Sequence, residues 1–454
     1  MPCYNIALSM IMKATISWSL VIAALVITAL LVSGCTQQPG PQNAGQELRI
    51  GVVASITGSA STTGKDIWQC AQLAADEINA QGGLSVPGIS GKVPVKVILG
   101  DDESSREGGM KAVSRLITQD NVNILVGGFS SAVVSAHQSL AADNGVPYII
   151  TGASTPVVTH RTDIDTRMMF HYCPTTDDYG EQTIKFADEV IRPAVNSRFN
   201  YSANRPLRIA LLVQDSPYGK GVQQAVNNTV ASGAVNAKIV AIETFKMGET
   251  DFRTALTAIK AAQPDVVYPA AFLNEQIPIV TQARREVGLN SIFLAVECND
   301  DPDYYTGVGH YGEYSVMESR FSPYAVPKGP LASAVISFRN RFNQRFGSYP
   351  GMMGASTYEG IFIAGQAAAQ AGSLDRARIR DVLTVLTMPE IVEAMKGGVI
   401  RFTPDYREAK FDLYMEQLVW NQTAGEPRPR IVWPDTLKEA DFVLPDWYVP
   451  GPAS

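Results

Sequence analysis

Nearly continuous Val/Ile runs alternate with amphipathic helical segments along most of this 454-residue chain, and no other feature restricts its fold as much. "ELRIGVVAS" (Glu47–Ser55) is such a run. Behind it, "KDIWQCAQLAADEINAQ" repeats apolar residues at helical spacing through Ile67, Cys70, Ala71, Ala74, Ala75 and Ile78. "VPVKVILGDD", "NVNILVGGFSS" and "VPYIITGAS" read as further strands, with "REGGMKAVSRLITQ" and "AVVSAHQSLAADNG" as the helices between them. A strand that is apolar on both faces needs cover on both faces, as in a parallel sheet flanked by helices. The pattern restarts at "PLRIALLVQD" and continues through "AKIVAIETF", "PDVVYPAAF" and "SIFLAVE". One helix of this second set, "DFRTALTAIKAA", has Thr250 or Asp251 as its expected N-cap. Two α/β sets in succession predict a two-lobed α/β protein, in which strand-end loops form the ligand crevices. Past Glu297, "CNDDPDYYTGVGHYGEYS" reads as turn-rich. A long helix is expected from near Pro330, two more over 354–371 and 374–386, and strands around "FDLYMEQLVW" and "PRIVW".

Residues 18–34 are apolar and uncharged, with Lys13 before them and Ser33-Gly34 ahead of Cys35. A basic residue, a short apolar core and small residues before a cysteine make a secretory signal peptide. "LLVSGC" resembles a prokaryotic lipobox, in which Cys35 is lipidated and becomes the first residue. The alternative is a transmembrane anchor, since about 17 residues is the lower limit for spanning a bilayer. Either reading puts the globular part outside the cytoplasmic membrane. Met12-Lys13 opens a more conventional signal than Met1. The polar stretch Thr36–Glu47, with Pro and Gly and no apolar periodicity, is expected to be a flexible tether. A formal charge of −7 and the lack of any basic run argue against a nucleic-acid partner. Beyond Cys35 the cysteines are Cys70, Cys173 and Cys298, so at most one disulfide is possible, and none has CxxC or metal-ligand spacing. No metal and no cofactor is expected.

Two glycine motifs fail on context. In "ITGSASTTGKD" five residues separate Gly58 from Gly64, where a phosphate-binding loop needs four, and Asp66 stands where a magnesium-binding hydroxyl belongs. "GVGHYG" (Gly307–Gly312) matches a dinucleotide fingerprint letter for letter but follows no strand. His137, His160, His171 and His310 form no metalloprotease pattern, and no nucleophile elbow is present, which disfavours catalysis. What remains is a set of hydroxyl-rich strand ends. "GGFSSA" runs into a helix with Ser131 at or near its N-cap, and "TGASTP" is a second such loop. Helix N-termini with free N–H groups and hydroxyls suit a carboxylate.

These stretches resemble one family. "LRIGVVASITGSASTTGKDIWQCAQLAADEINAQGG", "GGFSSA", "ITGASTP", "VQDSPYGKGV", "GETDFRTALTAIKAAQPDVVY" and "QARREVGL" are similar to segments of the branched-chain amino-acid binding proteins of ABC importers, a type I periplasmic-binding fold. The resemblance runs from about Leu48 to about Asp300 and weakly on to Trp420. It implies two Rossmann-like lobes with mostly parallel sheets and a ligand cleft between them. It implies that Ser131, with Ser130, and Thr155 hold an α-carboxylate. Ala153 then offers its carbonyl to the ammonium, Glu297 supplies the acidic partner of that ammonium, and Tyr218 closes over the ligand from the second lobe. Thr63 and Phe272 stand where many members carry aromatic residues, the first small and the second without a hydroxyl, so the side-chain pocket differs and leucine itself is in doubt. A first-lobe disulfide known in some members is replaced by Ser104 and Ser130.

The expected organisation is a signal peptide with lipobox over 1–35, a linker over 36–47, lobe 1 over 48–172 and 323–400, lobe 2 over 173–322 and 401–445, and a tail over 446–454. Three crossings between lobes are placed near Tyr172, near Ser322 and around Arg401–Phe411. The expected function is a membrane-anchored, monomeric solute-binding lipoprotein that delivers an amino acid or related small solute to ABC permease subunits by hinge closure. An extracellular sensor of the same fold and, further off, a secreted hydrolase are the alternatives.

Overall fold

A computed structural model describes residues 46–453 apart from Pro327 and the side chain of Glu297. The leader, Cys35 and residues 36–45 of the linker lie outside the described residues. The first Val/Ile run forms β1 (Leu48–Ala54) and is followed by α1 (Ser61–Ala80), β2 (Val95–Asp101), α2 (Arg106–Thr118), β3 (Ile124–Gly127), α3 (Ser131–Asp143), β4 (Tyr148–Ile150) and β5 (Met169–His171). The sheet is parallel throughout, in the order β2-β1-β3-β4-β5. The reason β1 is apolar at almost every position is now explicit. Ile50 and Val52 pack into one core, while Val53 packs into another on the opposite face.

The chain then builds α4 (Thr176–Phe186), β6 (Leu207–Gln214), α5 (Pro217–Ala231), β7 (Ala237–Phe245), α6 (Arg253–Ala261), β8 (Val266–Ala270), α7 (Leu273–Gln282), β9 (Ile292–Ala295), α8 (Pro302–Val308) and β10 (Val316–Ser319). These five strands take the order β7-β6-β8-β9-β10, which repeats the winding of the first sheet. In each sheet the strand order reverses on either side of its first strand, and at such switch points strand-end loops splay apart to leave a crevice.

After β10 the chain returns to the first sheet. It forms α9 (Ala332–Phe346), α10 (Met352–Ala371) and α11 (Arg376–Leu383), then a small antiparallel pair, β11 (Thr387–Pro389) and β12 (Val399–Arg401). α10 is buried nearly all round, and Asp66 of α1 reaches its N-terminus to accept from the backbone N–H groups of Gly351 (3.1 Å) and Gly354 (2.7 Å). The chain then adds β13 (Tyr414–Asn421) antiparallel to β10 and β14 (Glu426–Trp433) antiparallel to β13, at the edge of the second sheet.

Where the chain passes between the sheets, a fully buried polar network joins the passing segments. The Tyr172 hydroxyl donates to Glu359, whose other oxygen accepts from the backbone N–H of Glu393 at 2.8 Å. Arg320 pairs with Glu393 (3.1 Å) and donates to Ser356 Oγ (2.7 Å), and all these side chains are fully buried or nearly so. Residues 446–453 also dock: the Gly451 N–H donates to Asp265 Oδ1 (2.9 Å), and Asp265 in turn pairs with buried Arg205 at 2.8 Å.

Two local expectations need correction. α6 begins at Arg253 with Phe252 as N-cap, not Thr250 or Asp251. The Asp251 carboxylate is taken up by the N–H and guanidinium of Arg253, and buried Phe252 donates its N–H to Gln282, so the helix starts one residue later. The stretch read as turn-rich contains α8, with Asp301 as N-cap accepting from the Asp303 N–H and Pro302 at the first helical position. Asp-Pro is a helix start as well as a turn, because proline lacks only an N–H that the first turn leaves unused. Cys70, Cys173 and Cys298 are all buried.

Candidate functional site

The loops leaving β3 and β4 are tied together by backbone bonds from Thr151 N–H to Gly127 carbonyl (3.0 Å) and from Ala153 N–H to Gly128 carbonyl (2.9 Å). Gly128 has φ +80°, and a Cβ there would lie 2.2 Å from the Tyr148 hydroxyl, so this loop can come this close only with glycine. The geometry turns the start of α3 toward the strand ends of the second sheet. Ser130 is the N-cap of α3 and Ser131 its first residue. Ser131 Oγ accepts from the Thr155 backbone N–H at 3.3 Å, which ties the Ser131 side chain to the second loop as well.

From the second sheet, the loops after β6 and β8 are positioned by a buried chain of hydrogen bonds. Ser216 Oγ donates to Gln214 Oε1 (2.7 Å), Gln214 Nε2 donates to Glu275 (2.8 Å), and Glu275 accepts from the N–H groups of Phe272 (3.0 Å) and Gly248 (2.7 Å). The chain fixes Tyr218, in the first turn of α5, and Phe272, at the start of α7, relative to each other. Their rings stack with centroids 5.4 Å apart, and Phe272 meets Phe129 of the first sheet's loop at 4.6 Å.

A narrow cavity lies at this meeting point. Phe129, Ser131, Gly152 and Ser154 line it from the first sheet's loops, and Tyr218, Phe272, Val296 and Cys298 from the strand ends of the second, with Tyr179 of α4 and Met353 of α10 completing the lining. Its free volume is about 10 Å³, room for about one water, so the two walls stand nearly in contact.

Of the residues expected from the sequence, Ser131, Tyr218 and Phe272 line this cavity. Ser130, Ala153 and Thr155 are buried in the loops behind the wall but are not on it. Thr63 is buried in the first turn of α1 and is also absent from the lining. The backbone of Glu297 follows Val296 directly and opens a short 3₁₀ turn, while its side chain lies outside the described residues. The Ala153 carbonyl is already engaged by His171 Nε2 at 2.8 Å. Burial lowers the His171 pKa to about 4, so the ring is neutral and must place its proton on Nε2 to donate to a carbonyl. A carbonyl keeps a second lone pair for another donor. Sequence reasoning missed Phe129, Ser154, Tyr179 and the Gln214–Glu275 support. Phe129 stood in plain view between the two glycines and two serines of "GGFSSA".

The cavity wall contains few charges and several hydroxyl groups, and desolvation dominates its chemistry. Burial pushes the Tyr218 and Cys298 groups up, so neither ionises near neutral pH. Such a wall suits holding a small molecule through hydroxyl and backbone donors with aromatic cover. Among the described residues no cluster of His, Cys, Asp and Glu could hold a metal ion.

Comparison with known proteins agrees with this architecture. An amino acid binding protein of Pseudomonas aeruginosa is 27% identical over 282 residues, an alignment that covers 62% of this chain and 69% of that protein. The chain spans about 60% of the length of Leu/Ile/Val-binding relatives that it matches. In fold it is similar to the branched-chain amino acid transporter substrate binding protein LivJ of Streptococcus pneumoniae, solved in complex with isoleucine, with a TM-score of 0.70 at 22% identity over 86% of this chain and 100% of that one. It is also similar to a solute binding protein of an ABC transporter from Rhodopseudomonas palustris, solved with 3,4-dihydroxy benzoic acid, with a TM-score of 0.69 at 19% identity over 88% of this chain and 99% of that one. The family model described as periplasmic binding protein matches residues 47–424. The matched segment takes in every strand of the two large sheets except β14 and every cavity-lining residue, and the chain belongs to the periplasmic binding protein family.

Proposed function

We propose that this chain is the extracytoplasmic solute-binding component of an ABC importer and that its solute is an amino acid of the aliphatic, branched-chain type. The observation that carries the reading is the convergence of loops from the switch points of two like-wound sheets on one cavity, with Ser131 on one wall and Tyr218 and Phe272 on the other. Ser131 and Ser130 at the start of α3, with Thr155, hold the α-carboxylate. Glu297 and the free lone pair of the Ala153 carbonyl take the ammonium, and Thr63 stands toward the solute side chain. The lobes are 48–172 with 323–400 and 173–322 with 401–445. They swing about the three crossings, and the closed form is what permease subunits engage. Cys35 carries a lipid anchor after removal of a signal peptide, residues 36–47 act as tether, and the protein works as a monomer. Among the described residues no helix is long and apolar enough to cross a membrane.

A second reading has its own observation. Phe129, Tyr218 and Phe272 give the cavity aromatic walls, which suit the flat ring of an aromatic acid, and the Rhodopseudomonas neighbour was solved with one. A thermal-shift screen of the protein from residue 36 separates the two. A solute at 100 times its dissociation constant adds about 2.7 kcal/mol of stability. The first reading expects leucine, isoleucine or valine to raise the melting temperature and Glu297→Ala to remove that rise. A rise with 3,4-dihydroxybenzoate and none with amino acids would replace it with the second.

A further inference from the structure

Glu318 has no part in the site described so far, yet it stands directly behind it. It lies near the end of β10, at the cleft end of the second sheet, and is fully buried. β9 and β10 run parallel with Ala295 opposite Met317, so one step further on Glu318 lies level with Val296. Strand alternation puts both on the same face, the one occupied by Leu294 and Val316. Val296 lines the cavity.

The surroundings of this carboxyl are unfinished. Oε2 accepts from Thr183 Oγ1 at 2.9 Å, and the Tyr268 hydroxyl donates to that same Thr183 at 3.4 Å. Oε1 is buried with no hydrogen-bond partner among the described residues. Tyr179, Tyr218 and Cys298, all three on the cavity wall, feel the charge of Glu318. Its own charged neighbour, Asp178, has the same sign. A buried carboxylate with an orphan oxygen and no cation is costly, and the group avoids that cost by holding a proton. Burial, with Asp178 adding to it, accordingly raises the pKa to about 8.

We propose that Glu318 is a recognition group for the cationic end of the solute: it is protonated while the cleft is free of solute and releases that proton to solvent when an ammonium enters. The inference rests on the amino-acid reading. The balance is simple: a neutral carboxylic acid and an ammonium become a carboxylate facing the same ammonium, and one proton leaves to buffer. Glu318 acts from one strand behind the wall, so it compensates the charge while Glu297 and the Ala153 carbonyl take the ammonium directly.

Titration calorimetry of the wild type and Glu318→Gln, with L-leucine and with 4-methyl-2-oxopentanoate, tests this. The two probes share a skeleton and a carboxylate, and only the first has an ammonium. Runs at pH 7 in phosphate and in Tris, whose ionisation enthalpies differ, count the protons released. Leucine is expected to release close to one proton from the wild type and none from the variant, and to bind the variant about tenfold or more weakly. The keto acid is expected to bind both proteins alike. Equal proton release from both proteins, or equal weakening of both probes, overturns the proposal and leaves the amino-acid reading standing. A wild type that binds no leucine overturns both. Should the variant not fold, the wild type alone decides: its proton release on binding leucine must fall away as the pH passes 8, and a flat profile refutes the role.

Discussion

Arg320→Met should loosen the buried network at the crossings, and its cost can be worked out. Arg320 Nε lies 3.1 Å from Glu393 Oε1, with neither side chain exposed. At an effective dielectric of about 20, unit charges at that distance attract by about 5 kcal/mol. Removing one member of a buried pair costs about 3–5 kcal/mol in practice, because the survivor's charge is left uncompensated. A loss of about 3–5 kcal/mol is therefore expected at pH 8. The pH dependence gives a sharper check. Burial pushes Glu393 up and the Arg320 charge holds it down. Without Arg320 the carboxyl rises further above its ordinary value of 4.5 and takes a proton, which neutralises it. A group raised in the folded state adds stability at acid pH and loses it as pH rises, so the deficit should be smaller at pH 5 than at pH 8. Urea unfolding followed by circular dichroism on the wild type, Arg320→Met, Glu393→Gln and the double variant completes the cycle. Coupling of about 2–3 kcal/mol is expected. A loss below about 1 kcal/mol at pH 8, or a deficit that grows toward acid, would refute the reasoning.

Two further outcomes follow from named contacts. Gly128→Ala forces a side chain into a φ of +80° with its Cβ 2.2 Å from the Tyr148 hydroxyl. A loss of about 1–3 kcal/mol is expected, along with loss of any solute-induced thermal shift, since the loop positions Ser131; a stable, solute-responsive variant would contradict this. Ending the chain after Pro445 removes buried Tyr448 and the Gly451 N–H bond to Asp265. Unfolding in urea should show a loss of about 2–4 kcal/mol, and an unchanged midpoint would mean the tail contributes little.

The sequence by itself determined the kind of layers this chain makes. Runs such as "LRIGVVA" and "LRIALLVQ" are apolar on both faces, and only a sheet covered on both sides can bury them, so parallel α/β architecture follows from local pattern alone. Loop chemistry was equally legible: "GGFSSA" and "SPYG" carry the hydroxyls, glycines and cap residues that a strand-to-helix turn at a ligand site needs, and Ser131, Tyr218 and Phe272 do meet at one cavity. Which residues stand behind them was not legible. Glu318, Gln214, Glu275 and Arg320 look like ordinary polar residues along the chain, and nothing local distinguishes a solvated glutamate from a buried one. Their roles arise from long-range placement: Val296 beside Glu318 is a matter of strand register, and Tyr172, Arg320 and Glu393 meet only because the chain passes between the sheets at one place. Burial creates the electrostatic demands on those groups, and burial is a property of the assembled fold.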